Sequence, residues 1–153
     1  MPRVLIVAYG NPLRSDDGVA WRAADALEAH LPQSAVEIVR VHQLAPELAE
    51  AVSRSAAVIF VDAAQSLGNP GEVRCEELVP TAGDASFSHQ MSPAGVVALA
   101  KQLYDASPRA FSATLTGECF DHGEALSSVA ASALPALVAR IEKLVQQFLS
   151  GAS

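Results

Sequence analysis

Short β-favouring runs alternate with segments of helical period along this chain. Val4 to Ala8 is apolar at every position, the pattern of a strand buried on both faces. Gly10 to Gly18 forms a loop by composition. Val19 to Leu31 then sets Ala20, Ala23, Ala24, Leu27 and Leu31 on one side of a helix, which Pro32 ends. Val36 to Val41 reads as a second strand, and Pro46 opens a helix running to about Val52. Ala57 to Val61 is a third strand, ending at Asp62.

The rhythm breaks next. Gly68-Asn69-Pro70-Gly71 is a turn, and Glu72 to Leu78 is a fourth strand. Only nine residues separate Asp62 from Glu72, whereas a parallel crossover needs about a dozen or more. Strand four is therefore expected to run antiparallel to the third. Its charges, Glu72, Arg74, Glu76 and Glu77, mark it as an edge. Thr81 to Gln90 reads as a loop. Ser92 caps a helix with Pro93 at its first position, reaching about Tyr104. Ala110 to Leu115 is a fifth strand, Gly117 to Glu124 a loop, and Ser127 to Leu149 a final helix. The pattern predicts an α/β chain: residues 1–153 as one three-layer α/β/α domain on a mixed five-stranded sheet, strand four antiparallel at an edge. Ligands of such sheets sit outside the carboxyl ends of the strands.

Composition narrows the partners. The 153 residues are half hydrophobic and only 5% aromatic, rich in Ala, Val and Leu, which suits helices packed on a sheet. A net charge of −7 argues against nucleic acid and against an anionic membrane surface. The first residues carry one basic side chain and no small-residue cleavage site, so they read as a strand and not as a leader. No stretch approaches the ~20 apolar residues of a membrane span. The two cysteines, Cys75 and Cys119, are too few for a disulfide framework and too distant for a CxxC pair. Reduced thiols in a cytoplasm are the expectation.

Three loops at the carboxyl edge hold the candidate chemistry. The first contains Asp16 and Asp17 but neither G-x-G-x-x-G nor a Gly-Lys-Ser/Thr phosphate loop. Paired carboxylates there favour a cation or proton transfer over phosphate. One of them, Asp16, is placed to cap the following helix. Asp62 stands at the tip of the third strand. His89, in Ser86-Phe87-Ser88-His89-Gln90-Met91, precedes a helix. One imidazole with carboxylates suits a borderline divalent cation such as nickel or zinc, and equally suits general acid–base work. The absence of HExxH argues against a zincin-type peptidase. His30, near a helix C-terminus, reads as structural. His42 is ambiguous. Asp121 and His122 in the last loop are second-tier candidates, and Cys119 reads as a buried thiol.

Gly10-Asn11-x-Leu13-x-x-Asp16-Asp17-Gly18 after the first strand resembles the opening motif of the hydrogenase maturation endopeptidases. The resemblance continues through Val61-Asp62-Ala63, Pro70-Gly71-Glu72-Val73, Ser88-His89 and the stretch from Gly123 to Ser127, in order and over nearly the whole chain. It departs at Ala20, where the family usually has glycine, and in the last loop, which lacks the usual proline-containing form. The resemblance implies that Asp17, Asp62 and His89 form a metal-contacting, catalytic triad on a three-layer α/β/α fold. It implies an aspartic-type endopeptidase with no pepsin-like dyad, acting on the large-subunit precursor of a nickel–iron hydrogenase. A short C-terminal extension would be removed once nickel is in place, with the nickel borne by the substrate and read directly. The isolated protein is expected to be a cytoplasmic monomer, with room for another divalent cation at the same site. A non-cleaving module that holds precursor or metal is the alternative on the same fold. A small-molecule hydrolase would need a deep enclosed pocket in place of an open groove.

Overall fold

The computed structural model describes residues 3–65, 68–80 and 91–150. Its elements run β1 (Val4–Tyr9), α1 (Val19–His30), β2 (Val36–Val41), α2 (Leu48–Ser53), β3 (Ala57–Ala64), β4 (Val73–Leu78), α3 (Pro93–Tyr104), β5 (Arg109–Thr116) and α4 (Ser128–Ser150). They form one sheet in the order β2-β1-β3-β5-β4. The first four strands of that order are parallel, and β4 pairs antiparallel with β5 at the edge. The short connection after β3 cannot return the chain to a parallel start, which is why the reversal falls where the sequence predicts it.

Two apolar layers flank the sheet. Val4, Ile6, Ala57, Ile59 and Val61 pack on one face with α1 and α4. Leu5, Val7, Val58 and Phe60 pack on the other with α2 and α3. Both faces of β1 and β3 are thus dry, so their apolar residues are unbroken. β1 lies between β2 and β3, and the chain leaves it toward β2 on one side and meets it again as β3 on the other. The carboxyl ends of β1 and β3 therefore mark the switch point of the sheet, where ligands of open α/β folds bind.

Element boundaries reflect local chemistry. Ser92 accepts from the Gly95 N–H at 3.0 Å, with Pro93 opening α3. Ser127 does the same for α4, accepting from the Ala130 N–H at 3.2 Å. The second helix begins two residues later than Pro46 predicts, because Ala45 and Pro46 spend their carbonyls on a preceding turn. β3 runs two residues past Asp62, since Ala63 and Ala64 still pair with Leu115 and Thr116. Asp62 is thus a residue of the strand and not its tip.

Asp16 departs furthest from its expected place. It does not cap α1, whose N-terminus carries Gly18 and no side-chain cap. Its carboxylate is fully buried and turned toward the α1–α4 layer. There it accepts from the N–H groups of Glu118 (2.8 Å), Cys119 (3.0 Å) and Ser127 (2.8 Å), and from the Ser127 hydroxyl (2.7 Å). Burial opposes its ionisation, but the donors from Glu118, Ser127 and Cys119 outweigh that and hold the carboxyl below its ordinary value. One side chain thereby fastens the first loop, the last loop and the start of α4.

Replacing Asp16 with Ala leaves these donors without an acceptor. A cost of about 3 kcal/mol or more is expected, read as a fall in melting temperature on the order of 10 °C. The depressed folded-state value stabilises the native protein above about pH 4 and is lost as pH falls through it. The gap between native protein and Asp16→Ala should therefore narrow in acid, and a gap that stays constant with pH would contradict the assignment.

Candidate active site

Asp17 is turned the other way. Gly10 follows the first strand at φ +143°, and a Cβ there would lie 2.1 Å from the Asp17 carbonyl oxygen. Only glycine lets the first loop fold back this tightly onto the strand end. The Asp17 carboxylate accepts from the Asn11 N–H at 2.8 Å, and the Asn11 side chain in turn accepts from the Leu13 N–H at 2.9 Å. Between the two lies Ser15, a buried non-glycine residue at φ +50°. Its strain is held by bonds from its N–H to the Gly123 carbonyl (2.8 Å) and from its hydroxyl to the Asp121 carbonyl (2.7 Å).

Asp62 comes from the adjacent strand. Ala8 pairs with Val61, so the next residues, Tyr9 and Asp62, sit side by side on the α2–α3 face. The Tyr9 hydroxyl hydrogen-bonds the Asp62 carboxylate. Burial pushes the Asp62 carboxyl up to about 7, the charge of Asp17 adds to the rise, and bonds from Tyr9 and the Ala63 N–H oppose it. Burial and the Asp62 charge together raise the Tyr9 phenol. Two neighbouring carboxylates, one of them buried, form a donor set whose oxygens suit a hard or borderline divalent ion.

Both aspartates line one cavity of about 750 Å³ at the switch point. Its wall also includes Tyr9, Arg14, His42 and Met91. Arg14, His42, Gln43, Pro46 and Gln65 on that wall are exposed, so the cavity opens to solvent. His42 comes just after β2 and packs tilted against Trp21, ring centroids 5.3 Å apart, and the Trp21 indole N–H donates to the Val41 carbonyl at 3.1 Å.

No protein-family model matches the sequence, and no curated protein matches it either. Solved structures do. Hydrogenase maturating endopeptidase HybD from E. coli superposes with a TM-score of 0.74 at 21% identity, covering 95% of this chain and 93% of that one. The [NiFe] hydrogenase maturation protease HycI from Thermococcus kodakarensis gives 0.75 at 20% identity, over 94% and 92%. HybD from the same organism gives 0.71 at 22% identity, over 94% and 99%. The chain has the fold of the hydrogenase maturation endopeptidases.

On that fold the sequence-predicted residues separate. Asp17 and Asp62 come together. His89 lies outside the described residues, two positions before the cavity residue Met91. Among the described residues no group of three metal-ligating side chains converges. Asp121 and His122 are exposed and absent from the cavity wall, the former lending its carbonyl to Ser15. Cys119 and Cys75 are free, half-buried thiols, and burial raises that of Cys75. His30 lies outside the cavity, its exposed ring 3.9 Å from Glu142 of α4. Nothing in the sequence points to Arg14, sequence reading passes over Tyr9, and His42 is ambiguous there. Tyr9 and His42 carried a usable signal, since each stands at the carboxyl end of a strand beside the switch point.

The raised Asp62 value has a thermodynamic signature. Between about pH 4 and 7 the folded protein keeps a proton that the unfolded chain has lost, so stability falls as pH rises through that window. Asp62→Asn should remove this slope. It should match the native protein near pH 4 and exceed it by about 2–4 kcal/mol at pH 8 in metal-free buffer. Parallel melting-temperature profiles for the two proteins would refute the placement.

Proposed function

We propose that this protein is an endopeptidase that removes the C-terminal extension of a nickel–iron hydrogenase large-subunit precursor after nickel insertion. The observation that carries the reading is the Asp17–Asp62 pair over an open cavity, at the switch point of a hydrogenase maturation endopeptidase fold. Proteins named hydrogenase maturation proteases share that fold over nearly their whole length. An open cavity also suits a protein segment better than an enclosed pocket built for a small molecule.

In this reading Asp17, Asp62 and His89 contact the nickel that the substrate carries, and no resident cofactor is needed. Another divalent cation can take the same oxygens in the isolated protein. Asp62, whose proton leaves near neutrality, accepts the proton of the water that attacks the scissile carbonyl and returns it to the departing amide nitrogen. In this reading the enzyme is an aspartic-type peptidase, as the resemblance implies. The tyrosine beside it keeps the carboxylate oriented toward the cavity. The protein works as a cytoplasmic monomer, in keeping with its two free thiols. No helix among the described residues is long and apolar enough to cross a membrane.

Incubation with nickel-loaded and nickel-free precursor, followed by mass spectrometry, tests the proposal. A small C-terminal fragment should appear from the nickel-loaded form alone, without nucleotide. Asp17→Asn should lower processing at least ~100-fold while leaving the melting temperature equal or higher, because it relieves the carboxylate pair. Equal cleavage of both precursor forms would count against nickel recognition. Tight binding without a fragment would favour the non-cleaving module.

A further inference from the structure

The cavity wall holds a cation that its own carboxylates leave alone. Of the ten Lys and Arg residues, Arg3, Arg40, Arg54, Arg74, Lys101 and Arg109 are ion-paired. Arg22 donates to the Glu124 carbonyl at 2.7 Å. Arg140 and Lys143 line a separate, smaller groove with Glu77. Arg14 alone among the ten lines the cavity of Asp17 and Asp62. No ion pair or side-chain hydrogen bond holds it among the described residues, although Asp17 is three positions away.

The loop keeps it there by construction. The Arg14 N–H donates to the Asn11 carbonyl at 3.1 Å, its own carbonyl accepts from the Asp17 N–H at 3.0 Å, and its backbone bridges to Gly123. The strained Ser15 comes next in the chain. This left-handed residue reverses the chain, so that Arg14 and Asp17 both border the cavity while Asp16 turns into the opposite layer. In a chain of net charge −7, an unpaired guanidinium carried on a backbone held beside a carboxylate pair makes the cavity bipolar. Its acidic side suits a cation, and its basic side suits a planar anion that a guanidinium grips with two parallel N–H bonds.

We infer that Arg14 is a substrate-docking residue that binds a carboxylate of the precursor while Asp17 and Asp62 meet its metal. The inference rests on the peptidase reading above and adds the second point that orients the segment to be cut. The carboxylate is an acidic side chain or the chain-terminal carboxylate of the extension.

Arg14→Gln and Arg14→Lys test it with nickel-loaded precursor. Arg14→Gln should raise KM about 10–100-fold with kcat changed far less, and Arg14→Lys should fall between. Melting temperatures should stay within about 2 °C of the unaltered protein. Calorimetric binding of the precursor to both proteins gives a readout independent of cleavage. If the unaltered protein binds but does not cut, the peptidase reading fails while a weaker Arg14→Gln complex still supports docking. Equal binding and equal KM overturn the docking role, and no binding by the unaltered protein overturns both. Precursors with acidic residues neutralised one at a time, and one lengthened by two glycines, separate the sources. The Arg14→Gln penalty should vanish on the one variant that lacks the partner carboxylate. A penalty that persists on all of them refutes a carboxylate partner.

Discussion

The buried carboxylate of Asp16 is the constraint on which the carboxyl edge of this sheet depends. It gathers three backbone amides and a hydroxyl from a loop and a helix start more than a hundred residues away in sequence. A buried charge survives only when its lone pairs are used in this way. Gly117 shows how tight the closure is, since a Cβ there would lie 2.8 Å from the Asp16 Cβ. With the last loop drawn in, Gly123 and Asp121 can hold Ser15 in its left-handed conformation.

At the site this closure produces a division of labour between neighbours. Asp16 serves the α1–α4 layer and Asp17 the α2–α3 layer, on opposite faces of one sheet. The first is satisfied entirely by the protein. The second spends one oxygen on the Asn11 amide and faces, across the cavity, a partner whose proton is held to about pH 7. Burial and the nearby Asp17 charge both disfavour the Asp62 carboxylate, the place where a cation or a transferred proton would relieve it.

Much of this architecture was legible in the sequence. The unbroken apolar runs of β1 and β3 announce a sheet covered on both faces, and the nine-residue gap after Asp62 announces the antiparallel strand. Ser92-Pro93 marked its helix start to the residue. The split between Asp16 and Asp17 was readable too, because adjacent side chains diverge, yet the partner of Asp16 was not. A local rule offers the nearest amides, whereas the true donors lie over a hundred positions on, and only the closed fold brings them near. The place of Tyr9 at a strand's carboxyl end was readable, but its partner was not, because only the β1–β3 register sets its hydroxyl beside Asp62. Arg14 gave no sign of its exception, since an unpaired arginine is recognised only after every pair has been placed.

The chemistry of the site requires that the Asp17–Asp62 pair be where a cation binds. Crystals soaked in a nickel salt above pH 7.5, with anomalous diffraction recorded at the nickel edge, decide this directly. One dominant peak is predicted about 2.0–2.2 Å from carboxylate oxygens of both aspartates, with the His89 imidazole completing the set, and its loss in Asp17→Asn. A peak at Asp121 and His122, or a peak that survives Asp17→Asn unchanged, would contradict it.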